Sequence, residues 1–374
     1  MTLMVLAGGS KPLSKLLYTT SRSLVKIVDE ILLDHILSAL KTFEDKIIVV
    51  SDDVSVSEHL KAKWEDVEFA AQKGFGVEAA ICSGLALVED TAEPLTIVYG
   101  DIYSNPDFYR SHIAMALTES MDVASVVYPL YLSPRFLRLG MKPDGRVIPA
   151  DKGRLIYGGL YTLRDTALLR QRICKEGISI IEFITRRMQE DKVIGHQWIG
   201  EWVDLDTPWD YLVASRYRVR TLKGVIISEK AMVKDTAVLE PPVYVEEEAV
   251  IDHYAVIKGP AYISRAAFIG AHSFVREDTT VLDRAIVGAY SEVKRSIVME
   301  NARISSHCYI ADSIIGQYAE VGSYTVTLSV PASREEIEVA LTTSIEVGDL
   351  KVGAAITAKR SIEAYSKLSP AKIY

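Results

Sequence analysis

Residues 249–275 read AVIDHYAVIKGPAYISRAAFIGAHSFV, and within them Ile251, Ile257, Ile263, Ile269 and Val275 recur at every sixth position. An α-helix repeats its buried face about every 3.6 residues and a plain strand every second residue, so neither accounts for such a comb. The comb runs back through Val245, Leu239 and Val233 and forward through Val281, Val287, Val293 and Met299, giving twelve positions in unbroken register. Two residues ahead of them the chain mostly places something small: Ala231, Ala237, Ala249, Ala255, Ala261, Ala267, Ser273, Ala285 and Ser291. A hexapeptide β-helix explains both features, because each unit forms one side of a triangular coil, with the aliphatic residue on the axis and the small one in the crowded corner. The register is expected to slip near Ile304 and Ile310. The stretch Gly322 to Ser344 then reads as a loop leaving the coil, occupying roughly 322–348, before Leu350, Ile356, Ile362 and Leu368 restore the step.

Working outward, residues 1–223 have a different rhythm. Short β-branched runs at Leu3–Ala7, Lys46–Ser51, Leu95–Tyr99 and Val123–Tyr128 alternate with amphipathic helical patterns at Ile31–Leu40 and Val77–Val88. Alternation of this kind predicts a mainly parallel, doubly wound α/β sheet of Rossmann-like character. The chain therefore divides into an α/β domain, 1–223, and a left-handed parallel β-helix, 224–374. A length of 374 residues suits two cores better than one.

A net charge of -8 argues against nucleic acid as a partner, since no cluster of Lys and Arg offers itself to a phosphate backbone. The run Leu3–Ala7 behind Met1 is too short for a secretion signal, and no apolar span reaches membrane length, which predicts a cytoplasmic protein with no membrane partner. Cys82, Cys174 and Cys308 are odd in number and show no C-x-x-C spacing, which favours reduced thiols. Only two Asn and five Gln occur, a habit of proteins from hot environments. Aliphatic-cored prisms pack side by side, so a homo-oligomer through the β-helix is expected.

The chemistry-bearing residues occur in order. The first strand ends in Leu6-Ala7-Gly8-Gly9, whose bare backbone can approach a phosphate. Gln72-Lys73-Gly74 precedes a helix, Gly100-Asp101 ends a strand, and Trp202-Val203-Asp204 stands before the β-helix. Asp101 and Asp204 are hard oxygen donors of the kind Mg²⁺ uses beside phosphates. In this order the sequence resembles the sugar-1-phosphate nucleotidylyltransferases over nearly the whole chain, and among them the archaeal enzymes that join such a domain to a β-helix. The resemblance implies a nucleoside triphosphate at Leu6, Ala7, Gly8, Gly9, Gln72 and Gly74, with Mg²⁺ on Asp101 and Asp204. Asp151-Lys152 resembles the family's E-K-P segment and Tyr157-Gly158-Gly159-Leu160-Tyr161 its N-A-G-I-Y strand, which implies that Asp151, Lys152 and Gly158 contact a sugar-1-phosphate.

The departures lie at the phosphate loop. Where the family has a third glycine and an arginine, this chain has Ser10-Lys11-Pro12-Leu13-Ser14-Lys15, and where the family has P-K it has Ser21-Arg22. Lys11, Lys15 and Arg22 are thus the candidate catalytic cations. Gly348-Asp349-Leu350-Lys351-Val352-Gly353 stands where the family has R-R-K-L-G, and no acceptor His follows the interruption, which argues against a second, acetyltransferase site. Two readings stay open: transfer of a nucleoside monophosphate, from UTP or dTTP by preference, to a hexose-1-phosphate, or a regulatory paralogue that binds nucleotide sugars and associates with an active relative. A purely structural hexapeptide protein leaves Asp101, Asp204 and Lys152 unexplained.

Overall fold

The structure, a computed structural model, describes residues 1–9, 12–18, 21–43, 46–89, 93–129, 136–329 and 351–374. Two compact units emerge: one holds Met1–Ser10, Thr20–Val25 and Ile31–Asp204, the other Lys11–Thr19, Lys26–Glu30 and Leu205–Tyr374. The second unit includes the helix Pro208–Val219 as well as the coil, whose first strand is Val225–Ile227.

The first unit is a nine-stranded sheet. Its parallel centre consists of β1 (Thr2–Leu6), β2 (Lys46–Ser51), β3 (Glu68–Ala71) and β4 (Leu95–Tyr99), with β1 between β2 and β4. The helices α1 (Leu32–Leu40), α2 (Val54–Lys63) and α3 (Val77–Leu85) are interleaved with them. Leu3, Met4 and Val5 are buried, as a strand covered on both faces requires. The mainly parallel expectation holds for this half only, because β9 (Leu155–Leu163) runs antiparallel to β4. Strand β9 also pairs with β6 (Asp122–Val127), which carries β10 (Val193–Trp198) in parallel. A separate pair, β5 (Ile102–Ser104) with β11 (Trp202–Asp204), brings the segment after Gly100-Asp101 against the W-x-D strand.

One expectation fails in this unit. Cys82 and Cys174 form a disulfide, with Cα atoms 5.6 Å apart, and only Cys308 is a free thiol. Cys82 lies on α3 and Cys174 on the helical segment Arg170–Lys175, and both elements bury neighbours (Ile81, Leu85, Ile173) in one core cluster. Packing on a shared core, which spacing in sequence does not reveal, brings the two sulfurs together.

In the second unit three seven-stranded parallel sheets form the faces of the β-helix, and successive strands rise from turn to turn, as in Val245 on Ile263 and Ile263 on Val281. The comb residues Val245 to Val293 are buried in one continuous core. Past Val293 the inward residue is Val298, so Met299 is not the comb position expected of it; the steps 293 to 298 and 310 to 315 are five residues long. The left-handed corners fall at Tyr290, Arg295, Asn301, His307 and Asp312, and the shortened sides are those ending at Arg295 and Asp312. The interruption also starts later than expected, since Glu320–Val321 and Val326–Thr327 still pair with Ser361–Ile362 and Lys367–Leu368. Leu350 lies outside the described residues; Ile356, Ile362 and Leu368 are in the core.

The short sides seat the helix α6 (Pro208–Val219), which opens with a capping box between Thr207 and Asp210 and Pro208 in its first turn. Arg216 reaches Asp312 at 2.8 Å, Arg295 grips the same carboxylate with both Nε and Nη2 at 2.8 Å, and Arg220 holds Asp278 through Nε at 2.8 Å. Asp312 is fully buried. Its charge is tolerable there because two guanidinium groups complete its hydrogen bonds. Burial draws Arg216 below the ordinary arginine range, whereas hydrogen bonding to Asp312 raises Arg295. On the exposed corners Tyr254, His272, Tyr290, His307, Tyr324 and Tyr365 stack face to face, with centroids 4.9 to 5.1 Å apart. His307 is therefore one ring of a ladder.

Candidate functional site

In the first unit β1 delivers the glycine loop. The carbonyl of Ala7 accepts hydrogen bonds from three serine hydroxyls, Ser51 at 3.0 Å, Ser23 at 3.2 Å and Ser21 at 3.4 Å. A Cβ on Gly8 would lie 2.8 Å from Asp52 Oδ1 and 3.1 Å from Gln72 Oε1, so a side chain there would require those two side chains to shift. Gly9 follows at φ +92°, in the region glycine favours, and its amide donates to Asp52 Oδ1 at 3.2 Å. Gln72 stands beside this loop and donates from Nε2 to the carbonyls of Gly74 (3.1 Å) and Gly76 (3.2 Å), tying down the turn that opens α3. Phe75, at its tip, is fully exposed.

The carboxylates of Asp101 and Asp204, distant in sequence, have oxygens within 4.8 Å of each other. The pairing of β5 with β11 is the cause, since it sets Asp204 against Ile102, the neighbour of Asp101. Two converging carboxylates are a donor set suited to a hard divalent cation, so the residues present fit Mg²⁺. Asp206, which stands where the family has glycine, is buried, whereas Asp101 and Asp204 are half-buried.

Arg22, on the short helix Arg22–Leu24, directs Nη2 to Asp101 Oδ2 at 2.7 Å and to the carbonyl of Gly8 at 3.3 Å. Its side chain is 8% exposed and that of Asp101 13%. The structure thus brings Arg22, the glycine loop and the acidic pair together. Lys11 lies outside the described residues. Lys15 belongs to the second unit, where its side chain is exposed and its carbonyl accepts from Ala358 at 2.9 Å. Asp151 and Lys152 are exposed in the turn ahead of β9, and the carbonyl of Gly158 accepts from Trp202 Nε1 at 2.9 Å.

Two tyrosines that the motifs include but to which the sequence assigned no role line this region. Tyr99 packs edge-on to Tyr157 with centroids 5.9 Å apart. Burial, reinforced by the charges of Asp101, Glu78 and Asp204, holds the Tyr99 phenol well above its usual range. The hydroxyl of Tyr157 is buried with no hydrogen-bond partner among the described residues, and burial raises that phenol too. A buried orphan hydroxyl marks a place where a ligand or water completes the bonding.

Comparison with known proteins agrees with this geometry. The bifunctional protein GlmU of Methanococcus maripaludis is 31% identical over 329 residues, which cover 86% of this chain and 78% of that protein. The chain belongs to the sugar-1-phosphate nucleotidylyltransferase family. Further family members match over similar spans: GlmU of Methanocaldococcus jannaschii at 27% identity (89% of this chain, 81% of the relative), and a bifunctional sugar-1-phosphate nucleotidylyltransferase/acetyltransferase of Sulfurisphaera tokodaii at 26% (94% and 88%). Residues 257–347 also match the model of the GMPPB C-terminal domain. The family thus spans both units, and its motif residues Gly8, Gly9, Gln72, Asp101 and Asp204 all fall in the first. No helix among the described residues is long and apolar enough to cross a membrane.

Proposed function

We propose that this protein transfers a nucleoside monophosphate from a nucleoside triphosphate to a hexose-1-phosphate. A phosphate oxygen of the sugar phosphate attacks the α-phosphorus, the bond to the β,γ-diphosphate breaks, and pyrophosphate leaves with its electron pair. The observation that carries the reading is the convergence of Asp101 and Asp204 beside the glycine loop. These two carboxylates would hold Mg²⁺, and the bound metal would neutralise phosphate charge. The remaining work is positioning and electrostatics by the chain itself. Gly8 and Gly9 let the triphosphate approach the backbone, Arg22 supplies a planar cation, Gln72 and Gly74 face the base, and Asp151, Lys152 and Gly158 receive the sugar phosphate. Gln72 suits uracil or thymine, which favours UTP or dTTP. We place the protein in the cytoplasm as a homo-oligomer assembled through the β-helix, with sedimentation as the check: a 41.4 kDa species alone at micromolar concentration would refute assembly.

The test is pyrophosphate release from UTP, dTTP and GTP with a panel of hexose-1-phosphates and Mg²⁺, beside Asp101→Ala. Turnover abolished in that variant is expected. No turnover with any pair, together with measurable nucleotide-sugar binding, would overturn the reading in favour of a regulatory paralogue that associates with an active relative. A specific observation favours this second reading: Arg22 is engaged by Asp101 and the Gly9 amide by Asp52, so two groups that would serve phosphate are satisfied internally.

A further inference from the structure

The pairing of Arg22 with Asp101 has consequences for how a metal could reach that carboxylate. The guanidinium bridges two elements of the nucleotide site, Asp101 at 2.7 Å and the carbonyl of Gly8 at 3.3 Å. Ser21 and Ser23, its neighbours on either side, both donate to the carbonyl of Ala7, so the backbone that carries Arg22 is pinned to the glycine loop. Both partners are largely withdrawn from water. An ion pair so shielded is worth more than an exposed one, which solvent and salt reduce to little. A guanidinium is also permanently charged and presents its donors in a rigid fork, unlike the lysine that the family's P-K motif would place here.

We propose that Arg22 is a resident counter-cation of Asp101, which a divalent metal must displace before Asp101 and Asp204 can share it. The inference rests on the reading of those carboxylates as the metal site. Metal and guanidinium then compete for one carboxylate, so the ligand-free protein binds the metal weakly. The backbone tether makes the competition productive: released from Asp101, the guanidinium stays within reach of the Gly8-Gly9 loop, where the phosphates of a nucleotide would give it a second anionic partner. In this way the arginine couples metal entry to nucleotide entry.

The experiment is a titration of the full-length protein with Mn²⁺ alone, free ion being read from its electron paramagnetic resonance signal. Wild type, Arg22→Gln, Arg22→Lys and Arg22→Gln/Asp101→Asn are compared, each shown by circular dichroism to be folded. Arg22→Gln is expected to bind Mn²⁺ about tenfold or more tightly than wild type, as loss of a charged hydrogen-bonded partner implies. Arg22→Lys, which keeps the charge without the fork, should fall between them, and the double variant should lose the gain. Equal affinity in wild type and Arg22→Gln would overturn the competition while leaving nucleotidyl transfer, decided independently by pyrophosphate release, intact. A gain that survives Asp101→Asn would overturn it as well, by placing the metal elsewhere. Failure of every form to bind Mn²⁺ would overturn both the competition and the assignment of the acidic pair.

Discussion

Replacing Asp312 by Ala should destabilise the β-helix unit more than any change at an exposed charge. The carboxylate is fully buried and accepts from Arg216 and, twice, from Arg295. Without it, Arg216 loses the carboxylate it reaches in a shielded seam, and Arg295 beside it keeps Glu277, at 3.1 Å. Removing one partner of a buried ion pair costs about 3–5 kcal/mol. For a domain of this size each kcal/mol moves the midpoint by about 2–4 °C, so a loss of about 6–20 °C is expected. Differential scanning calorimetry at a single scan rate would measure it. The companion variant replaces all three groups, Arg216→Met, Arg295→Met and Asp312→Leu. It should recover most of the loss, because stranded charge rather than lost attraction is the larger cost. A midpoint for Asp312→Ala within about 2 °C of wild type, below the shift calculated above, would refute the argument. A triple variant as unstable as the single one would also refute it.

Three other outcomes follow from the geometry. His196 is buried against His112, with its Nε2 2.8 Å from the Ser111 hydroxyl, and burial lowers its pKa from the ordinary 6.5 to about 4. Both rings are neutral in the folded protein and the unfolded chain binds the proton first, so stability is full above the ordinary histidine pKa and declines as pH falls toward 4; at pH 5 the loss from His196 is about 2 kcal/mol. A denaturant midpoint unchanged between pH 7.5 and 5 would contradict this. Reducing the Cys82–Cys174 bond, or replacing both residues with Ser, should lower stability by up to about 4–5 kcal/mol, the chain-entropy ceiling for a loop closed over 92 residues; an unaltered melting curve under reductant would show that the bond contributes nothing. Tyr157→Phe removes the orphan hydroxyl, so it should leave stability equal or higher while raising KM for the sugar phosphate about two- to tenfold, the worth of one hydrogen bond. An unchanged KM would exclude the phenol from the site.

The two folds were legible because each rests on a local period. The comb from Val233 to Val293 is visible in the order of residues alone, as is the strand and helix alternation ahead of it. The first short side escaped notice because Ile297, Val298 and Met299 are all apolar, so the sequence does not say which of them points inward. The late start of the interruption was hidden by Thr327, a polar residue buried at an inward position. At the site, Gly8, Gly9, Gln72, Asp101 and Asp204 could be read from motif order. Pairings between remote segments could not, and the contact of Arg22 with Asp101 and the bond between Cys82 and Cys174 are of that kind: each depends on which surfaces of a folded sheet and its helices meet.

The two short sides make the turns of the β-helix unequal as building blocks. Corners advance by eighteen residues in the early turns, as from Tyr254 to His272 and on to Tyr290, but by seventeen from Asp278 to Arg295 and again to Asp312. A change of length by one whole turn thus removes eighteen residues in one region and seventeen in the other. Losing an eighteen-residue block between Tyr254 and Tyr290 would remove one ring from the stack and close the prism again. Losing a seventeen-residue block would close it equally well, yet take with it an anchor of the helix Pro208–Val219. The early stretch carries anchors of the same helix region as well, Thr280 for Ser215 and Asp278 for Arg220, so a block that includes them would cost the helix a contact there too.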